Sequence, residues 1–214
     1  MTTKTRAEKM EKTRAKLIAA GREAFAAKSF ATASMDDLTA SAGLTRGALY
    51  HNFGDKRGLF AAVVDEIDTA MAAQAQEAGC RAGGGWDGLI AEGRAYIEMA
   101  LKPEVQRIVL LDGPAVLGDP SQWPSQNRCL AATIDRLGAL AGEGTIKPVD
   151  IEALARLMNG MALNAALWVA ASADAETTLP RAVAAFECLA SGVLAEPGRG
   201  DQGAHSWKSA DVRS

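Results

Sequence analysis

Apolar residues recur at helical spacing along most of this chain, and no stretch alternates as a strand would. Leu17, Ile18, Gly21, Ala24 and Phe25 form a first stripe at steps of three and four, which predicts a helix to about Ala27. Residues 1–12 before it, rich in Lys, Arg, Glu and Thr, read as a flexible basic arm, with Lys4, Arg6, Lys9 and Lys12 as its cations. Ser34 has N-cap chemistry, with Asp36 and Asp37 in the first turn where the helix dipole favours carboxylates. Leu38 and Ala42 give that short helix a small buried face, and Gly43 supplies the left-handed residue that stops it. Thr45 caps the next helix, in which Leu49 and Phe53 point inward together. Gly54-Asp55 ends it and opens a longer one, Lys56 to about Ala78, with Leu59, Phe60, Val63, Val64, Ile67 and Met71 on one face.

Two helices joined by a turn of three or four residues containing Gly form a helix-turn-helix, whose second helix enters the DNA major groove. Here that second helix leaves Arg46, Gly47, Ala48, Tyr50 and His51 on its outer side. Arginine reaches two acceptors on guanine, glycine allows close approach, and hydroxyls and lysine bind phosphate. The run Ala42 to Phe60, with Gly47, Leu49, Tyr50, Phe53 and Lys56 spaced as Gly-x-Leu-Tyr-x-x-Phe-x-x-Lys, resembles the DNA-binding domain of the TetR family of bacterial transcriptional regulators. The resemblance covers residues 10 to 70 approximately. It implies an all-α homodimer whose C-terminal domain binds a small molecule and releases operator DNA. It also implies that Arg46, Gly47 and Ala48 face base edges while Ser34, Thr45, Tyr50, Asn52 and Lys56 face phosphates; His51, on the same outer side, joins the phosphate set. Asn52 departs from the His or Tyr that many members carry, and so lacks the charge a protonated His could add.

The rest of the chain predicts further helices, giving an all-α fold of about nine. Five glycines between Gly79 and Gly88 mark a hinge or boundary. Helices are expected from about Trp86 to Leu101, from Pro103 to near Gly113, from Ser125 to Ala141, from Asp150 to Ser172 and from Thr178 to Leu194, with an irregular loop around Gly118 and Trp123. The division that follows is a DNA-binding domain at 13–70, a ligand-binding and dimerisation domain at 71–195 and a disordered tail at 196–214. Leu157 to Ala173 carries no charge, but it falls short of the ~18 residues of a membrane span and includes Asn159, Asn164 and Ser172. It reads instead as a helix buried on both sides. With the last helix, striped by Leu179, Val183, Phe186, Leu189, Ala190 and Val193, it is expected to pair with its mate in a homodimer. Tyr96, Met99, Leu111, Trp123, Cys129, Met158, Met161, Asn164 and Trp168 are the candidate lining of an effector pocket, since Met and Trp adapt to irregular apolar ligands and an Asn can fix one polar group. Asn159 and Asn164 lie about 140° apart on their helix, so one of them can set dimer register instead.

Charge sharpens this picture. Residues 1–60 hold 11 Lys/Arg against 6 Asp/Glu (+5), residues 61–214 hold 12 against 20 (−8), and together they give the net −3. A basic first quarter on an acidic body suits one module that faces phosphate and another that does not. Cys80, Cys129 and Cys188 are far apart and odd in number, with no zinc spacing, and each is expected to be a small, semi-buried hydrophobe. The only histidines, His51 and His205, have no local nucleophile, and carboxylates such as Glu98, Asp112 and Asp135 are expected to be solvated or salt-bridged. No catalytic group, metal site or cofactor is therefore expected. The charged N-terminus lacks the apolar core of a signal peptide, so the expected compartment is the cytoplasm. The function expected is that of a ligand-responsive regulator, a repressor released from a palindromic operator by a small hydrophobic or aromatic effector. The alternative is a constitutive DNA-binding dimer, which a solid core in the C-terminal half would favour.

Overall fold

The computed structural model describes residues 2–196, with side chains from Arg6 onward. Expectations for the Lys4 side chain, for His205 and for the tail beyond Glu196 lie outside the described residues. Nine α-helices run among the described residues: α1 Thr2–Ala27, α2 Met35–Ser41, α3 Arg46–Phe53, α4 Lys56–Arg81, α5 Gly85–Glu98, α6 Gly113–Leu117, α7 Pro124–Gly142, α8 Ile151–Ala171 and α9 Ala175–Ser191. The segment Val105–Asp112, between α5 and α6, winds as wider π-helical turns.

Helix starts follow side-chain chemistry. Ser34, Thr45, Asp55, Asp150 and Asp174 each accept a hydrogen bond from the backbone N–H three residues on. Several boundaries differ from those expected, among them the end of α9 at Ser191 and of α5 at Glu98, and three of the differences have a visible cause. The predicted arm is already α1, because the Ala, Lys, Arg and Glu residues there are good helix formers. Helix α4 passes through Gly79 to Arg81: a Cβ at Gly79 would meet the Gly88 carbonyl oxygen at 2.8 Å, and one at Gly88 would meet that of Gly79 at 2.9 Å. Those two glycines thus serve the close crossing of α4 and α5, and the turn itself falls to Gly83 and Gly84. Helix α9 starts at Ala175, not Thr178, because Asp174 caps it, and Pro180 lies inside it.

Helices α1 to α3 and the first half of α4 form a head. Leu17, Phe25, Leu38, Leu49, Leu59, Phe60 and Val63 are fully buried there, and Phe60 takes Phe25 and Phe30 edge-on at 5.1 and 4.9 Å between centroids. This core does not stop at the end of the head. Along α4 it continues through Val64, Ile67, Met71 and Ala75 and joins Ile97, Ile108, Val109, Ala166 and Val169 of the body. A smaller cluster centred on Leu137, Leu140, Leu154, Ala155 and Met158 closes the far end. There Ile146 and Leu194 form an isolated antiparallel bridge that ties the chain after α9 to the α7–α8 loop. No helix among the described residues is long and apolar enough to cross a membrane.

Candidate DNA interface and buried cavity

Helix α2 ends at Ser41, and the turn Ala42–Thr45 delivers the chain to α3. Gly43 takes φ +63° there, a backbone conformation that side chains other than glycine rarely adopt. Leu49 of α3 is completely buried and Phe53 half-buried, with the Arg14 guanidinium 4.7 Å above its ring. Anchored so, α3 presents Arg46, Gly47, Tyr50 and His51 to solvent, with Ala48 half-buried beside them. The Arg46 guanidinium makes a paired contact with the Asp36 carboxylate, which raises its already high pKa. Both groups are exposed, so the guanidinium is free to exchange that carboxylate for other acceptors.

The expected phosphate ligands are not equivalent. The Ser34 and Thr45 hydroxyl oxygens accept the capping N–H groups of Asp37 and Ala48 at 3.4 and 3.2 Å and keep their own protons to donate. Tyr50 is 53% exposed and unobstructed. Asn52 has turned its amide back on α3, donating to the Ala48 carbonyl at 2.7 Å, so its donor is engaged within the helix. The Lys56 ammonium sits 4.7 Å over the Phe30 ring and 3.5 Å from the Ala31 carbonyl oxygen, and partial burial lowers its pKa.

In the body, a cavity with about 90 Å³ of free room opens among α4, α5, α7, α8 and α9. Small residues make the room, among them Ala72, Ala75, Ala132 and Ala162, while Leu89, Met158 and Phe186 supply apolar walls. Phe186 lies directly on Gly93, where any Cβ would collide with its ring. Of the nine residues expected to line a pocket, Tyr96, Cys129 and Met158 do. Met99 is buried elsewhere in the core, the Trp123 ring lies on Gly113 at the start of α6, and Leu111 is exposed. Met161, Asn164 and Trp168 face a groove on the outer side of α8 and α9. The asparagine on the cavity is Asn159, whose side-chain oxygen accepts from Thr133 Oγ1 at 3.1 Å.

Sequence reasoning missed Asp68, which sits behind this wall and is 1% exposed. Both of its carboxylate oxygens accept from Gln126 Nε2, at 3.1 and 3.0 Å, and the same nitrogen lies 3.3 Å from the Tyr96 hydroxyl. Burial raises the Asp68 carboxyl above the usual carboxylate range, against the hydrogen bond from Gln126 that lowers it. Asp65 and Arg128 are its charged neighbours, and the buried Ser125 hydroxyl nearby makes no hydrogen bond of normal geometry among the described residues. Burial also raises the Tyr96 hydroxyl and the Cys129 thiol, so neither is a nucleophile at neutral pH. Cys80 and Cys188, expected to be semi-buried, are exposed.

The raised Asp68 carboxyl carries a stability prediction. A carboxyl that holds its proton more tightly folded than unfolded makes stability fall as pH rises through the interval between the two values. Asp68→Asn, with the Gln126 amide flipped to match, is therefore expected to raise the melting temperature above neutral pH by about 2–4 °C per kcal/mol relieved. The gain should close as pH falls into the ordinary carboxylate range. A melting series in which the variant is less stable at every pH would contradict this.

The exposed face of α8 and α9 also differs from the stripe expected to form a dimer. Phe186 and Ala190 are buried within the chain, and Leu179, Val183 and Val193 are half-buried against its own core. Only Leu189 of that set points outward. The large apolar stripe of α9 packs on its own chain because α5 and α8 are the nearest surfaces that can bury it. The outward face carries Leu157, Gly160, Asn164, Trp168 and Leu189 instead, with the Arg181 guanidinium 5.5 Å from the Trp168 ring centroid.

A helix-turn-helix head sharing one core with an all-helical, cavity-bearing body defines a DNA-binding regulator of transcription. Residues 17–63 match the family described as bacterial regulatory proteins, tetR family, and residues 86–193 match the tetracyclin repressor-like C-terminal domain. A TetR-family transcriptional regulator from Pectobacterium atrosepticum has a similar structure, with 46% identity, a TM-score of 0.81, and coverage of 89% of this chain and 98% of that one. More distant likenesses, which bear on the fold alone, include a TetR-family regulator from Mesorhizobium loti (20% identity, TM-score 0.58, 84% and 97% covered). Another is FadR, a fatty acid degradation regulator from Bacillus halodurans (12% identity, TM-score 0.59, 81% and 94% covered). The chain belongs to the TetR family of transcriptional regulators, which are DNA-binding proteins and not enzymes.

Proposed function

We propose that the protein is a cytoplasmic, homodimeric repressor that leaves a palindromic operator when a small molecule enters the cavity of its body. The observation that carries this reading is that α4 belongs to both ends. Its first turns pack in the head beside the recognition helix α3, and Ala72, Ala75 and Gln76 of its second half line the cavity. A ligand that shifts α4 changes the spacing of the two recognition helices in a dimer, while operator DNA holds its half-sites at fixed spacing. Ligand and DNA then select different states of one dimer. A solid body would have favoured a constitutive DNA-binding dimer; the cavity favours ligand control.

In this reading residues 13–70 read DNA and residues 71–195 bind ligand and dimerise. Arg46, in the first turn of α3, exchanges Asp36 for a guanine edge, Gly47 and Ala48 allow the approach, and Ser34, Thr45, Tyr50, His51 and Lys56 hold phosphates. The face that meets the second chain is that of Leu157, Gly160, Trp168 and Leu189. Gly160 has open space where a side chain would be, yet glycine inside a helix costs about 0.5–1 kcal/mol relative to alanine. Close approach of a partner helix accounts for its presence.

Selection of binding sites from random DNA tests the reading directly: a palindrome with half-sites about one helical turn or more apart is expected. On that site Arg46→Ala should cost about 1–3 kcal/mol and relax the preference at one base pair. Lys56→Ala should weaken all sequences alike and flatten the salt dependence by about one ion. Equal losses by both variants on specific and random DNA would sink the assignment. For the switch, affinity of a bound ligand measured with and without operator must differ reciprocally; equal values would leave a DNA-binding dimer with an uncoupled cavity.

A further inference from the structure

The polar chemistry behind the cavity wall specifies a kind of ligand. Three oxygens, Asp68 Oδ1, Asp68 Oδ2 and the Tyr96 hydroxyl, converge on one nitrogen, Gln126 Nε2, at 3.1, 3.0 and 3.3 Å. The Tyr96 hydroxyl keeps its own proton and can accept and donate at once, so the only charge in this group is the carboxylate's. The Gln126 amide brings two protons and no charge to it, whereas an ammonium brings three protons and the opposite charge. No Lys, Arg or His lines the cavity. Its one lining carboxylate, Glu92, is paired with Arg136 at 2.5 Å. Asp68 has no such partner: the nearby Arg128 donates to Asp65 and Thr69 instead, at 3.2 and 3.0 Å. A buried carboxylate held only by neutral donors is a strong acceptor for a cation and repels an anion. Gln126 is half-buried and lines the cavity, so its side chain has room to withdraw.

Resting on the reading of this cavity as the effector site, we propose that the effector is a primary amine with an apolar body, whose ammonium displaces the Gln126 amide from Asp68 and Tyr96. The body lies among Leu89, Met158 and Phe186. Fatty acids and other carboxylates are excluded by the same carboxylate that recruits the amine.

The test uses the full-length protein and amines of graded size, from butylamine through benzylamine to naphthylmethylamine, each matched with the alcohol and the carboxylic acid of the same body. Titration calorimetry at neutral pH should find at least one amine binding about 10- to 100-fold more tightly than its alcohol, with the acid weakest. Asp68→Asn should erase the gap between amine and alcohol while leaving alcohol binding in place. Tyr96→Phe, which keeps the aromatic wall and removes only the hydroxyl beside Asp68, should narrow it, and serves alone if the Asp68 variant does not fold. The proposal is overturned if no amine outbinds both of its counterparts, or if the preference survives both variants. Operator affinity is measured in parallel. An amine that binds without weakening DNA binding leaves the ligand class standing and ends the ligand-control reading. A carboxylic acid or alcohol that binds this cavity more tightly than its amine and releases DNA does the reverse.

Discussion

Leu189→Arg is expected to give a folded monomer whose operator affinity has fallen by about 10²- to 10⁴-fold, the range in which linking two binding modules exceeds one alone. The side chain is 64% exposed, and Leu157 and Trp168 across the groove are 68% and 45% exposed. A large leucine, a second one and a tryptophan on one face are what a partner surface buries. A charge there desolvates on dimerisation and meets solvent in the monomer, so folding is spared. Phe186 is the wrong place for the same experiment: at 4% exposure, with its ring on Gly93, a charge would break the body itself. Gly160→Leu is the companion variant. It removes a helix-interior glycine, should leave the protomer as stable or more so, and blocks close approach by bulk. Sedimentation at low micromolar concentration and DNA titration of the same samples decide the matter. Dimers that persist in both variants would place the interface elsewhere.

What could be read from sequence here was whatever depends on neighbours along the chain. Caps such as Ser34, Thr45 and Asp55 act on an N–H three residues away, so the starts of α2, α3 and α4 are legible to the residue. The start of α1, which shows no such cap among the described residues, is not. The outward set on α3 followed because Leu49 and Phe53 alone fix which way an eight-residue helix faces. The cavity depends on which side of each long helix meets which neighbour, and no local rule supplies that. Trp168 and Asn164 looked like pocket residues by chemistry and turned out to face solvent. The space itself is made by Ala72, Ala75, Ala132 and Ala162, whose side chains carry no chemistry that would mark them in a sequence. Asp68 did leave a signal. It lies four residues after Val64 and three before Met71, a carboxylate at a position of the apolar stripe where solvent cannot follow. A charge at such a position marks either a paired core residue or a site.

Glu104→Gln combined with Asp112→Asn is expected to leave operator and effector affinities of the separate states nearly unchanged while cutting the communication between them. The head and body meet along α4, but also through the π-helical segment and α6. The Arg22 guanidinium pairs with Glu104, the Phe30 N–H donates to Asp112 Oδ2 at 2.7 Å, and Arg57 Nε donates to the Val116 carbonyl at 3.2 Å. On the other side, Gln106 donates to the carbonyl of Ala170 at 2.8 Å, at the end of the helix that brings Met158, Asn159 and Ala162 to the cavity. A displacement of α8 therefore reaches the head without passing along α4. Turning a mostly bound population into a mostly free one takes about 5.5 kcal/mol of differential binding, or about 2.7 per pocket in a dimer. Hydrogen bonds to charged groups contribute about 1.5–3 kcal/mol each, less at the half-exposed Arg22, so the two contacts together match one pocket's share. The double variant should accordingly lose about tenfold or more of the ligand-induced drop in operator affinity. The measurement is operator affinity with saturating effector and without, for wild type and variant. If the ratio is the same for both, the π-helical contacts are passive and α4 carries the signal alone.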